Sequence, residues 1–223
     1  MRILAISDIH GAFGKLDKVL RSTSYDLLIV AGDLAPYHNP LGFDKAFSII
    51  AKHVGDKVVA VVAGNMDSPS LIHYKPPKDN IFILHGDALK VNDDIIVGFG
   101  GGLVSPFYTY FELTEDEFKK LIDSIKDKLS VVKSYKALIA VFHNPPKGTK
   151  VDVAFSGAHV GSKVIREFIE ELSPKLVICG HIHEARGYDR LGETVIVNPG
   201  PLLIGYYALI DIDDKVQVVL KKI

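Results

Sequence analysis

Three short segments, Asp8-Ile9-His10-Gly11, Gly32-Asp33 and Gly64-Asn65, decide the fold class of this chain. They end uninterrupted apolar runs at residues 3–7, 27–31 and 58–63. Runs of this length without polar alternation are typical of strands that are buried on both faces. A glycine beside a polar residue at the end of such a strand predicts a tight turn at the carboxyl edge of an α/β sheet, where ligands gather.

Working outward, further strands are predicted at residues 81–84, 95–99, 137–142, 176–179 and 195–197, with a hairpin formed by 207–211 and 216–220. Helical stripes of apolar residues occur at 43–54, 118–129 and 164–172. Thr114 and Glu117 form a capping-box pattern before the second stripe, and Ser162 is a predicted N-cap for the third. The alternation predicts an α/β fold, and the late strands suggest a second, partly antiparallel sheet. Without repeats or linkers, residues 1–223 are expected to form a single domain.

Composition limits the classes of function. The chain of 223 residues is 48% hydrophobic and 24% charged, and 26 Lys and Arg oppose 27 Asp and Glu for a net charge of −1. This balance provides no electrostatic footprint for nucleic acid or for an anionic membrane. A single cysteine, Cys179, excludes an internal disulfide and suits a reducing compartment. No apolar run is long enough to span a bilayer. We therefore expect a soluble, cytoplasmic protein.

Two later strands also end in polar residues, so that five strands deliver potential metal ligands to one edge. The seven candidates are Asp8, His10, Asp33, Asn65, His143, His181 and His183. Carboxylate, imidazole and amide oxygen suit a divalent transition metal, and seven ligands exceed what one ion with open positions can use. Two ions that share one carboxylate would account for the number. Asp8 and His10 are two residues apart, and on an extended segment they would point to the same side.

These blocks, in this order, resemble the signature of the calcineurin-like metallophosphoesterase superfamily, and the closer likeness is to compact prokaryotic phosphoesterases related to class III cyclic-nucleotide phosphodiesterases. The pattern of D-x-H, GD, GN, a later H and GHxH extends over nearly the whole chain, and Asn198-Pro199-Gly200 also looks like this family. The resemblance implies a four-layer αββα sandwich of two mixed β-sheets flanked by helices.

The resemblance also implies two divalent metal ions, with manganese first and Fe, Co, Ni or Zn as alternatives. The first ion would take Asp8, His10, Asp33 and His183, and the second would take Asp33, Asn65, His143 and His181. Asp33 would then bridge the two ions. A water molecule between them would be the nucleophile for in-line attack on a phosphoester, leaning to a phosphodiester or a small nucleotide.

One position departs from the family pattern, which usually reads GNH followed by an acidic residue. This chain has Met66 there, followed by Asp67. The family's histidine is commonly assigned to protonating the leaving oxygen, with the acidic residue orienting it, and a thioether cannot donate a proton. The departure favours substrates whose leaving groups depart without a proton. His38 and His159 are alternative acids or phosphate ligands, although a solvated loop histidine is the simpler interpretation of each.

Two other functions fit the same pattern. One is a nuclease, which the balanced charge disfavours. The other is a non-catalytic interaction scaffold, which would normally have lost ligands that this chain retains. The aromatic cluster at Phe107, Tyr108, Tyr110 and Phe111 is consistent with a flap over the substrate, a homodimer surface or core packing. Cys179 is interpreted as a buried, inert thiol.

Overall fold

A computed structural model describes residues 1–132 and 134–223. The strands are, in chain order, β1 (Arg2–Ile6), β2 (Leu27–Ala31), β3 (Val58–Val62), β4 (Ile81–Ile83), β5 (Asp87–Val91), β6 (Asp94–Phe99), β7 (Gly102–Leu103), β8 (Glu112–Leu113), β9 (Leu138–Phe142), β10 (Leu176–Ile178), β11 (Gly187–Leu191), β12 (Thr194–Asn198), β13 (Tyr206–Ile212) and β14 (Val216–Lys222). The α-helices are α1 (Phe13–Ser22), α2 (Asp44–Val54), α3 (Glu115–Ser130) and α4 (Lys163–Leu172).

Twelve of the strands form two mixed sheets. The first sheet has the order β14-β13-β1-β2-β3-β4, and the second has the order β11-β12-β10-β9-β6-β5. The inner strands of each sheet run parallel, whereas β13, β14, β5 and β11 pair antiparallel to their neighbours. The predicted α/β sandwich of two mixed sheets flanked by helices is confirmed.

The apolar core is divided into three layers, because the strands bury both faces. In β1, Ile3 and Ala5 contact the second sheet, while Leu4 and Ile6 face a layer that includes α1 and α2. A third layer joins the outer face of the second sheet to α3 and α4. This arrangement gives the order helix, sheet, sheet, helix, and it explains why the early strands are apolar except for the exposed Arg2 at the start of β1.

The sequence located most elements within one or two residues. It missed α1, which begins without a side-chain cap, and the edge strands β5 and β11, which carry charged residues on their exposed positions. The expected hairpin exists as β13 and β14, but it extends the first sheet through antiparallel pairing of β13 with β1. Of the strands after α4, the second sheet takes β10, β11 and β12.

In the described part of the chain, no helix is both long and apolar enough to cross a membrane.

Two helix starts next to the second sheet are capped as predicted. Thr114 and Glu117 form a reciprocal capping box on α3, and the Ser162 hydroxyl accepts the N–H of Ile165 in α4. Glu115, in the first turn of α3, also caps α4. Its carboxylate accepts the Ser162 hydroxyl (2.6 Å) and the backbone N–H groups of Lys163 (2.8 Å) and Val164 (3.2 Å). A carboxylate at a helix N-terminus is favourable to the helix dipole, so Glu115 couples the two helices.

We predict that Glu115→Ala lowers the free energy of unfolding by about 1–2 kcal/mol, since it removes a charged cap from α4. Asp116→Ala is the matched control, because this exposed neighbour lies in the same turn of α3 and makes none of those contacts. The control should change stability by less than about 0.5 kcal/mol. Urea unfolding followed by circular dichroism measures both variants, and equal losses would show that Glu115 does not couple the helices.

Candidate metal centre

The seven candidate ligands lie together at one end of the sandwich, where both sheets end. Asp8 and His10 follow β1, Asp33 follows β2 and Asn65 follows β3, all in the first sheet. His143 follows β9, and His181 and His183 follow β10, all in the second sheet. We expected the candidate ligands at one edge of a single sheet, but they lie at the shared end of two stacked sheets. The first sheet carries four of them and the second carries three.

The first set of side chains surrounds the ring of His10. Its Nε2 atom lies 3.3 Å from Nε2 of His183 and 3.5 Å from Oδ2 of Asp33. Nε2 of His183 lies 3.3 Å from Oδ1 of Asp8. Potential ligand atoms of Asp8, His10 and His183 all lie within 4.8 Å of one another, close enough to bind one ion. Among Asp8, His10, Asp33 and His183, the side chain of His183 is the most exposed, so this set of ligands is open to solvent on the His183 side.

The second set converges on the side-chain oxygen of Asn65. Nε2 of His143 lies 2.9 Å from that oxygen, and Nδ1 of His181 lies 2.8 Å from it. Nε2 of His143 is also 3.4 Å from Oδ2 of Asp33. The same Asp33 oxygen thus faces one imidazole from each set. By distance alone, Asp8 also groups with Asp33 and His143, so both carboxylates lie between the two sets.

The spacing of these atoms fits a divalent transition metal. Metal–ligand bonds of about 2.0–2.2 Å place neighbouring ligand atoms about 2.8–3.6 Å apart in octahedral or tetrahedral geometry. The distances within both sets, 2.8–3.5 Å, fall in that range. In each set ring nitrogens and carboxyl or amide oxygens crowd at one point, an arrangement that a cation stabilises. The donor set, nitrogen and oxygen without sulfur, suits Mn, Fe, Co, Ni and Zn.

Burial and neighbouring charges set the protonation of these groups. Burial raises the pKa of Asp8 and of Asp33, but the surrounding histidines outweigh it and hold both pKa values below the ordinary range. Burial lowers the pKa of His143, whereas the charge of Asp33 and the hydrogen bond with it raise it more, to about 9. Burial and the nearby His143 lower the pKa of His181 to about 4. A cation bound here would therefore displace a proton from His143 and would meet a neutral His181.

The backbone at the ligands is strained. Asp8, His10, Asp33 and His181 have φ of 51°, 44°, 55° and 69°, and they make up four of the seven non-glycine residues with positive φ in the described chain. Each such residue costs about 1–2 kcal/mol. The expectation that Asp8 and His10 lie on an extended segment is wrong: β1 ends at Ile6, and left-handed turns bring the two side chains together. Strain concentrated in this way is a mark of function.

A bond between the sheets fixes the orientation of His143. Its Nδ1 donates to the carbonyl of Ala31, at the end of β2 in the opposite sheet, over 2.7 Å. This bond assigns the proton to Nδ1 and leaves Nε2, which faces Asp33 and Asn65, free to bind a metal. Gly32 permits the approach, since a Cβ there would lie 2.3 Å from Nδ1 of His143.

Asp67 has a different role from the one that the family pattern implies. Its fully buried carboxylate accepts the backbone N–H groups of Gly64 (2.8 Å), Ala35 (2.8 Å) and Leu34 (3.2 Å). Asp67 therefore holds the loop after Asp33 against the loop after β3. The family pattern implies that this carboxylate orients the side chain at position 66, but here it binds backbone N–H groups instead. Burial and the charge of Asp33 raise the pKa of Asp67 to about 7. Met66 is half-buried, and its N–H donates to Asp33 over 2.8 Å.

Three further residues, Ser7, Tyr37 and Asn198, support the site. The Ser7 hydroxyl donates to Asp8 over 2.6 Å. The ring of Tyr37 stacks on His10 with 3.9 Å between centroids, and burial together with Asp33 and Asp8 raises the pKa of Tyr37 to about 12. The amide of Asn198 donates to the carbonyl of Ile182, between the last two histidines. Only Asn198, in its Asn-Pro-Gly block, carried a signal in the sequence.

The remaining candidates do not belong to either ligand set. His38 is exposed, and Nδ1 of His159 is 2.7 Å from Asp152, so His159 serves its own loop. Cys179 is fully buried, and burial raises the pKa of its thiol, which agrees with an inert side chain. Of the aromatic cluster, Phe111 is buried and packs in the core, as one of the interpretations of this cluster predicted. Phe107 and Tyr108 do not pack in the core, since their exposed fractions are 82% and 88%.

Comparison with known proteins places this geometry in context. A family model described as metallophosphoesterase, calcineurin superfamily, matches residues 37–222. That range includes Asn65 and the three later histidines, while Asp8, His10 and Asp33 precede it. An uncharacterized protein of Methanocaldococcus jannaschii is 36% identical over 213 residues, covering 90% of this chain and 88% of that protein.

Two solved structures share the fold. The crystal structure of TT1561 of Thermus thermophilus has a TM-score of 0.74 at 20% identity, with 99% of this chain and 98% of that one covered. The 5'-nucleotidase from Candida albicans has a TM-score of 0.62 at 13% identity, with 99% of this chain aligned to 51% of that one. These likenesses concern the architecture alone.

We predict that Gly180→Ala weakens metal binding by about 10–100-fold, as changes to the groups that orient metal ligands commonly do. A Cβ at this position would lie 1.7 Å from Oγ of Ser7 and 2.8 Å from Oδ2 of Asp8, so Asp8 must move. Gly14→Ala is the matched control, since nothing lies within 4 Å of its added Cβ. Calorimetric titration of the metal-free proteins with Mn²⁺ makes the comparison, and equal affinities would remove Asp8 from the centre.

Proposed function

This chain belongs to the calcineurin superfamily of metallophosphoesterases, and from that premise we propose that it hydrolyses a small phosphodiester at a centre of two metal ions. The family supports a metal-dependent phosphoesterase. The preference for diesters or small nucleotides is our extension, and it rests on Met66. We further propose that residues 1–223 act as one catalytic domain and that manganese is the working metal.

The observation that carries the proposal is the position of Asp33. One of its oxygens lies 3.5 Å from Nε2 of His10 and 3.4 Å from Nε2 of His143, which belong to different ligand sets. A single carboxylate oxygen between two groups of imidazoles supports a bridging ligand. We assign Asp8, His10 and His183 with Asp33 to the first ion, and Asn65, His143 and His181 with Asp33 to the second.

When bound, two divalent ions at such a centre activate water for in-line attack on phosphorus and neutralise charge on the phosphoryl oxygens. The protein's own residues supply the preorganisation. Ser7 and the N–H of His181 hold Asp8, the carbonyl of Ala31 holds His143, and the N–H of Met66 holds Asp33. Catalysis of this kind depends on groups that are already in place before the substrate binds.

A nuclease is a weaker alternative, because the net charge of −1 provides little neutralisation of a phosphate backbone. A non-catalytic scaffold is disfavoured by the retention of all seven ligand residues in contact with one another. The cytoplasmic location stays a prediction from the single cysteine.

We predict that the metal-free protein binds two equivalents of Mn²⁺. His181→Ala should retain only the first ion, whereas Asp33→Ala should weaken both and lose more turnover than any other ligand variant. His53→Ala is the control, since His53 lies on α2 and pairs with Asp17, away from the centre. Equilibrium dialysis with elemental analysis measures the stoichiometry. Saturation of the wild type at one equivalent, or two equivalents in Asp33→Ala, would contradict the bridging assignment.

We predict a steep dependence of rate on the leaving group, because Met66 provides no proton. Plots of log(kcat/KM) against leaving-group pKa should fall strongly, with aryl diesters far ahead of alkyl monoesters. Since Asp67 is occupied by three backbone N–H groups, Met66→His gains a proton donor without a partner to orient it. We expect at most about tenfold improvement for poor leaving groups, below the usual 10²–10⁴ of general acid catalysis.

Met66→Leu is the control for this series, because it alters the side chain without adding a donor. Its slope should match the wild type. A shallow slope in the wild type would mean that another group, such as the phenol of Tyr37, protonates the leaving oxygen.

A further inference from the structure

A groove of about 680 Å³ opens directly beside the metal centre. Asn65 and His181 line both, so the groove continues from the position where a phosphoryl group would lie. Pockets for small molecules commonly have volumes of about 300–1,000 Å³ and combine apolar walls with a few polar groups. Two loops form the walls here, one at residues 103–109 and the other at 154–160.

The first wall is held in place by polar contacts and tied to a metal ligand. Oε1 of Glu112 accepts the hydroxyl of Ser105 (2.8 Å), and the N–H (3.0 Å) and hydroxyl (2.7 Å) of Thr109. The N–H of Phe111 donates to the carbonyl of Asn65 over 3.0 Å. The position of this wall is therefore coupled to Asn65.

The second wall is fixed in the same way. The buried carboxylate of Asp152 accepts the N–H groups of Gly148, Thr149 and Gly161 over 2.9–3.1 Å, and Nδ1 of His159 lies 2.7 Å from it. At the tip, the N–H of Phe155 donates to Glu184 over 2.8 Å. Two ordered loops thus frame the groove.

Each wall presents an exposed aromatic ring to the groove. Phe107 is 82% exposed and Phe155 is 92% exposed, and both line the groove, each from its own loop. Fixing large apolar side chains in water is unfavourable, and such exposure usually marks a binding surface. Neither ring stacks on another aromatic ring within the described chain, so each has a free face.

The charges of the residues that line the groove indicate which kind of ligand it can bind. Of the described lining residues, Glu184 is the one carboxylate, and no lysine or arginine is among them. A second phosphate or a polyanionic strand would find no cation there. A flat, uncharged ring would stack on the phenylalanines, and Glu184 could accept an N–H from it.

We propose that this groove is a substrate subsite that takes a flat aromatic ring, aryl or nucleobase, of the phosphoester bound at the metal centre. The subsite rests on the proposed function, which it deepens by assigning the substrate class. An aromatic phosphoester then binds through its phosphoryl group at the metals and through its ring against Phe107 and Phe155.

The test is calorimetric binding of phosphonates, which are not hydrolysed, to the Mn²⁺-loaded protein. Three probes are compared: methylphosphonate, phenylphosphonate and an adenine-bearing phosphonate. Stacking of a base on an aromatic side chain predicts an advantage of about tenfold or more for the ring-bearing probes. The phenyl and adenine arms separate an aryl subsite from a nucleobase subsite.

Phe107→Ala and Phe155→Ala should each reduce that advantage severalfold and leave methylphosphonate affinity unchanged. Tyr108→Ala is the matched control, because this residue is 88% exposed on the same loop but does not line the groove. Equal affinity of the wild type for all three probes, or an equal loss in Tyr108→Ala, would overturn the subsite. Hydrolysis of phosphoesters is measured separately. Tighter binding of the ring-bearing probes without hydrolysis of any phosphoester contradicts the proposed function and supports the subsite. Hydrolysis without tighter binding of those probes supports the proposed function and contradicts the subsite.

Discussion

The constraint on which this structure depends is the burial of two carboxylates, Asp8 and Asp33, in one cluster. Their exposed fractions are 0% and 2%. Burying one ionised carboxylate is costly, and burying two beside each other adds repulsion unless opposite charges surround them. Four imidazoles, the hydroxyl of Ser7 and backbone N–H groups provide part of the compensation. The proposed cations would add to that compensation.

That constraint explains the local structure at the strand ends. The carboxylates can meet histidines from the second sheet only if the two sheets approach closely, and glycines at positions 32 and 180 remove the Cβ atoms that would prevent it. Gly64 leaves room in the same way for Asp33 within the first sheet. Left-handed backbone at Asp8, His10, Asp33 and His181 turns the side chains inward. Asp67 then locks two of the loops together through the backbone. The bond from His143 to Ala31 joins the sheets at the same point.

The sequence identified the seven candidate ligands because buried strands are largely apolar, which makes a polar residue at their ends conspicuous. It also predicted the caps of α3 and α4, since these depend on residues three positions apart. It could not predict that Asp8 and His10 converge through positive φ, because Asp and His adopt that conformation more often than most residues do but still uncommonly. The roles of Tyr37 and Asp67 could not be predicted from the sequence either, because both depend on contacts with segments distant in sequence. The exposed rings of Phe107 and Phe155 suggest a binding surface only once the structure shows that they line the groove.

The central claim, two ions bridged by Asp33, is tested most directly by anomalous diffraction from crystals of the Mn²⁺-loaded protein. The account predicts two peaks about 3.5–4 Å apart, with the Asp33 carboxylate within about 2.0–2.2 Å of both. A single peak at saturating Mn²⁺, or two peaks of which one lies beyond the reach of Asp33, would contradict it.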